Sequence, residues 1–128
     1  MDESILNSVK KMLNLQADYT AFDLDIIMHI NSVFSTLHQL GVGPTDGFEI
    51  TDNVPTWDSF TLGDVRYNMV KSYVYKKVRL VFDPPANSFT VTALEKQIAE
   101  DEWRLNIIRE GDITDAPIME VIYDGGSP

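Results

Sequence analysis

The sequence predicts an all-α fold: a small bundle of four main helices, with a long loop carrying a candidate short strand and an extended C-terminal arm. Three observations lead there. Apolar residues recur at three- and four-residue steps over four stretches, the spacing of a buried helix face. Gly41 and the pair Pro84–Pro85 stand where helices must stop. The chain has 128 residues, 44% hydrophobic and 23% charged. That is enough for one globular domain that buries roughly two-thirds of its unfolded surface. The division is a helical domain over 1–111 and a tail over 112–128.

The first helix spans Asp2 to Leu13, with Ile5, Val9, Met12 and Leu13 on one side. Thr20 and Asp23 have the spacing of an N-terminal cap with an acid in the first turn of the second helix. Phe22, Ile26, Ile30, Val33, Leu37 and Leu40 then mark its inner face, and Gly41 ends it where a left-handed residue is wanted. The stretch GVGPTDGFEITDNVPTWDSFTLGD is a long loop. Within it, FEIT is the candidate strand. TWDSF is a single helical turn that plugs the core with Trp57 and Phe60.

The third helix runs from about Asp64 to Asp83 and shows two apolar stripes. Tyr67, Val70, Val74, Val78 and Val81 form the main one, flanked by Tyr75 and Phe82. Met69, Tyr73 and Leu80 form the second, with Arg66 and Lys77 between the two. One stripe serves a monomer's core. The second needs a cover, either another helix of the same domain or another chain. DPPANS is a tight turn, because Pro85 removes a donor and forces Pro84 out of the helical region.

Asn87 or Ser88 caps the last helix, which ends near Glu110 and Gly111. Its core stripe is Val91, Leu94, Ile98, Leu105 and Ile108, bordered by the acids Asp101 and Glu102. Phe89, Trp103 and Ile107 lie on another side. In the tail, Met119, Val121 and Tyr123 alternate as on a strand face. With no hairpin partner nearby, the tail is expected to be mobile in the free protein and to pair by edge addition with another chain.

Composition and motifs exclude much. There are no cysteines, so disulfides, thiolate catalysis and Cys-based zinc sites are ruled out. No apolar run approaches the ~20 residues of a membrane span. MDESILNSVKK has acids first and no long apolar stretch, so no signal peptide is expected. GVG follows a helix and lacks the residues of a phosphate loop. His29 and His38 are not at the i, i+4 spacing of a metal pair. Asp23 and Asp25 are acids of a first helical turn, favoured there by the helix dipole. No serine sits in a nucleophile elbow. The expectation is no enzyme, no cofactor and no metal.

The net charge is −10, and it is unevenly spread. Between Met12 and Val65 there is no Lys or Arg against eight Asp or Glu. From Val65 to Phe82 stand Arg66, Lys71, Lys76, Lys77 and Arg79, with no acid. The acidic total opposes nucleic-acid binding, which draws its affinity from neutralising phosphates. The basic run reads as a solvated, partner-facing strip.

DLDIIMHINSVFSTLHQLGVGP, TWDSF, VKSYVYKKVRLVFDPP and LEKQIAEDEWRLNI, in that order, resemble the small head–tail connector (adaptor, or head-completion) proteins of long-tailed bacteriophages. The resemblance covers Asp23 to Ile108. KVRL-FDPP is its most distinctive part, and Lys76 stands where an apolar residue is expected. It implies an all-helical structural protein of the virion neck. Copies would form a ring, a dodecamer in the virion, beneath the portal protein. The ring would extend the DNA channel used in packaging and ejection and meet the next neck or tail-completion protein. DNA would pass through unread, and an acidic wall would let it slide. The chain would sit in the host cytoplasm before assembly. The competing reading is a small cytosolic interaction or regulatory domain encoded in a prophage region.

Two sets of residues follow. Met69, Tyr73, Lys76, Lys77 and Leu80, with Ile118, Met119, Val121, Ile122 and Tyr123 of the tail, are the expected partner interface. An antiparallel hairpin about DPPANS brings Asp101 level with Val70 and Lys71, since both helices rise equally per residue. Arg66 or Lys71 is therefore expected to pair with Asp101 or Glu102.

Overall fold

The computed structural model describes residues 3–111. In chain order these form α1 (Ile5–Met12), α2 (Asp23–Gln39), α3 (Trp57–Thr61), a 3₁₀ turn (Val65–Tyr67), α4 (Met69–Phe82) and α5 (Ser88–Gly111). The architecture is all-α. α4 packs on α2 and α5, and α1 packs against α2 and α4. Among the described residues the β pairing is a single antiparallel bridge between Ser4 and Thr56. The tail residues Ile118, Met119, Val121, Ile122 and Tyr123 lie outside the described residues.

α1 starts at Ile5, later than the sequence indicates, because the Ser4 hydroxyl accepts the Asn7 N–H at 3.1 Å and fixes the cap there. α2 starts at Asp23, but Thr20 does not cap it. The position before the helix is Phe22, and Thr20 offers only its carbonyl to the Asp23 N–H at 3.2 Å. The Asp23 carboxylate is instead drawn to Lys10, 2.7 Å away. α2 closes in a Schellman turn, with Gly41 N–H on His38 O at 3.0 Å and Val42 N–H on Leu37 O at 2.8 Å. Gly41 has φ of +82°, the left-handed conformation that the sequence anticipates.

The inner faces of α2 and α4 supply Ile26, Ile30, Val33, Leu37, Val70, Tyr73, Val74 and Val78 to one core. The long loop folds back onto it. Phe34 stacks on Phe60 at 4.8 Å between centroids and meets Phe48 and Trp57 edge-on. Trp57 does plug the core, and its indole N–H donates to the Ser8 hydroxyl at 2.8 Å. Gly43, at φ of +99°, lies against the Phe60 ring, where a Cβ would meet ring carbons at 2.5 Å.

FEIT is not a strand. Among the described residues no edge pairs with it, and the backbone of Ile50 is satisfied by one side chain: Asn31 Oδ1 accepts its N–H at 2.7 Å, and Asn31 Nδ2 donates to its carbonyl at 2.9 Å.

The third helix of the sequence reading divides. Asp64 caps the short 3₁₀ turn, and α4 proper begins at Met69. Val81, placed in the main stripe, is exposed at the end of α4. The second stripe is covered within the chain. Tyr73 is 0% exposed, and Met69 and Leu80 pack against the same core. The cover is α5, whose Ile98 and Leu105 are buried. Asn87 caps α5, its Oδ1 accepting the Phe89 N–H at 2.7 Å and the Thr90 N–H at 3.3 Å.

Candidate functional site

The basic run on α4 and the acids on α5 meet along the seam between the two helices. Lys76 Nζ lies 2.8 Å from Asp101 Oδ2, with side chains 14% and 12% exposed. Next to it, Lys77 Nζ is 3.8 Å from Glu102 Oε2 and 5.8 Å from the Tyr73 ring centroid. The Tyr73 hydroxyl donates to Glu102 Oε2 at 2.8 Å. Burial pushes the Tyr73 phenol well above its usual range. The Glu102 hydrogen bond, the Glu102 charge and then the Asp101 charge push it further. Tyr73 therefore stays a neutral donor and holds Glu102 in place.

Asp101 and Glu102 thus have cationic partners, but not the expected ones. Arg66 binds Asp64, through Nη2 at 2.7 Å and Nε at 3.1 Å. Its side-chain and backbone N–H groups hold the Asp64 carboxyl below the usual range. Lys71 pairs with Glu3, ahead of α1. The observed pair places Asp101 opposite Lys76, five positions beyond Lys71. The segment between Phe82 and Ser88 does not fold straight back. With Lys76 level with Asp101, equal rise sets Phe82, the last residue of α4, level with Glu95, so the start of α5 extends past the end of α4.

The basic run is therefore not a free strip. Arg66, Lys71, Lys76 and Lys77 are all in ion pairs, and Arg79 donates to the Tyr75 hydroxyl at 3.3 Å. Of the expected interface residues on α4, Tyr73 is sealed inside its own domain, while Met69, Lys76, Lys77 and Leu80 are partly covered by it. The two histidines are placed by local contacts. His29 meets the Phe82 ring edge-on at 6.5 Å, and the His38 Nε2 lies 3.0 Å from the Thr45 carbonyl.

Lys10 is a feature the sequence reading missed. It is 1% exposed, and its ammonium pairs with Asp23 while donating to the Ala17 carbonyl at 3.0 Å. It ties the end of α1 to the start of α2 across the reversal between them. A lysine in the last turn of a short helix gives no sign of this, because such a residue ordinarily faces water near the negative helix end.

The uncovered apolar surface lies elsewhere. Leu24 and Met28 stand one turn apart on the outer side of α2, both exposed. Tyr19, Phe22 and Phe82 form a chain of edge-on rings at 5.9 and 5.5 Å, with Val81 exposed beside Phe82. On α5, Phe89, Trp103 and Ile107 are exposed on the side away from the core. Among the described residues, no helix is long and apolar enough to cross a membrane.

Comparison with known proteins adds one finding. The family model described as phage connector protein matches residues 5–112. No curated protein matches, and no solved structure does. The match takes in every helix from α1 to α5, so the bundle as a whole is the family's unit, and the chain belongs to the phage connector protein family.

Proposed function

We propose that this chain is a structural protein of the virion neck. Copies assemble into a ring beneath the portal, extend the DNA channel and join the head to the tail. The observation that carries this reading is the family match across the whole bundle. The geometry supports it in two ways. The helices expose several large apolar side chains around a well-filled core, as a protein built to be covered in an assembly does. Lys71, Lys76 and Lys77 of α4 are paired with acids of the same chain, which leaves an acidic protein with little to hold a phosphate backbone. DNA then passes the ring without being bound or read.

The ring forms on the portal and not in free solution, because the exposed apolar side chains stand among charges, as Leu24 and Met28 do beside Asp25, and exposed ion pairs are worth only about 0–1 kcal/mol each. Segment 112–128 is the proposed attachment arm. Its strand-forming residues Ile118 to Tyr123 gain by repetition around a ring what one copy cannot. Electron microscopy of the protein mixed with its portal tests the reading. The expected image is a ring under the portal, lost when 112–128 are deleted while the melting temperature of the helical domain holds. A stable large ring of the isolated protein at micromolar concentration, or full portal occupancy by the truncated chain, would refute the corresponding step.

A further inference from the structure

The outer side of α5 carries a pattern of its own. Phe89, Ala93, Lys96, Glu100, Trp103 and Ile107 follow one another at alternating steps of four and three residues, and all are exposed. That is the spacing of a helix–helix seam. At about 100° per residue it lies opposite Ile98, which points into the bundle. Among the described residues the chain therefore presents two seams on one helix and covers one of them.

The order of residues along this outer seam says what fits it. We infer that it docks a second copy of the same chain, antiparallel, about a two-fold axis at the level of Ile98. In that register Phe89 meets Ile107 of the second copy, the small Ala93 receives the large Trp103, and Lys96 faces Glu100. Each contact occurs twice. Bulk meets space, and each charge meets its opposite. A parallel pairing of the same seam sets Lys96 against Lys96 and Glu100 against Glu100, which repel. Self-complementarity of this kind is what a two-fold contact requires. Glu100 is already 2.7 Å from Arg104, but that pair is more than half exposed, so it is weak and yields to a partner that is less exposed to water.

A contact between identical patches closes on itself and cannot propagate around a ring, whose neighbours meet through different patches. The pairing therefore belongs to the unassembled protein, and it rests on α5 and not on the ring reading. One helix face buries less than the roughly 1,200 Å² at which stable interfaces begin, so the dimer is weak and concentration-dependent.

Sedimentation equilibrium of the full chain over a concentration series tests this. The wild type is expected to show a monomer–dimer equilibrium. Lys96→Glu and Glu100→Lys should each weaken it at least tenfold, because each sets like charges together twice. Mixing those two variants should restore association as a heterodimer, since both charge pairs are then opposite, and the double swap in one chain should restore the homodimer. Circular dichroism of these exposed-site variants confirms that they fold. The inference is overturned if the wild type stays monomeric at millimolar concentration, if Lys96→Glu dimerises as tightly as wild type, or if the mixture fails to associate. A monomeric wild type whose Lys96→Glu form loses portal attachment would assign the face to the portal instead.

Discussion

The two faces of α5 show how one helix can carry opposite commitments. The inner face holds Ile98 and Leu105 in the core and the charges of Asp101 and Glu102 against α4. The outer face holds Phe89, Trp103 and Ile107 in water. The acids thus face inward and the aromatics outward, the reverse of a simple amphipathic helix. The difference teaches that residue type alone does not assign a face. An acid is tolerated inside because a cation reaches it, and an aromatic is left outside where a later partner can take it.

The sharpest way to break the contrast is through the fully buried Leu105. Leu105→Ala leaves a cavity and should cost about 3 kcal/mol in denaturant unfolding. Next comes the charge on the seam. Lys76→Met strands the Asp101 carboxylate with its partner gone, and should cost about 2 kcal/mol, less than a fully buried pair because both side chains keep some solvent. Adding Asp101→Leu should recover most of that loss, since an apolar pair of similar volume replaces a buried ion pair well. Failure to recover would mean that the charges fix the helix register.

Tyr73→Phe comes third, at about 1 kcal/mol for the lost hydrogen bond to Glu102. Its pH dependence carries more information. The folded phenol titrates above the ordinary value of 10.0, so above that pH the unfolded chain gives up a proton that the folded chain keeps. Wild-type stability should fall from about pH 10 upward, and the Phe variant should lack that part of the fall. Parallel pH profiles of the two proteins would place Tyr73 outside the seam. The smallest effect on the fold is expected on the outer face. Trp103→Ser should change stability by less than about 0.5 kcal/mol while removing self-association, measured by sedimentation.

Helix periodicity and stop signals made the bundle legible: the inner face of α2, the Gly41 turn, the Trp57–Phe60 plug and the Asn87 cap all follow from local chemistry. The sequence also marked Asp101 and Glu102 as acids needing cations. It misidentified those cations, because the hairpin register depends on how far the Pro84–Pro85 segment carries the chain before α5 turns back, and two helices of equal rise do not reveal an overhang. The second stripe of α4 asked for a cover without saying from which chain it came. Lys10 and Asn31 were hidden for a shared reason. Each acts on a segment that folds over it from a distance, and nothing in its own neighbourhood records that.

Asn31 has a consequence for the time course of folding. Its amide grips Ile50 across 19 residues of chain, and two hydrogen bonds at that point stand in for a strand partner. Closing a loop costs entropy that the grip can offset only once α2 has already presented Asn31. The loop therefore docks late, after the helices have met. Asn31→Ala should leave the refolding rate near that of wild type and speed unfolding, so that the whole loss appears on one arm of the chevron.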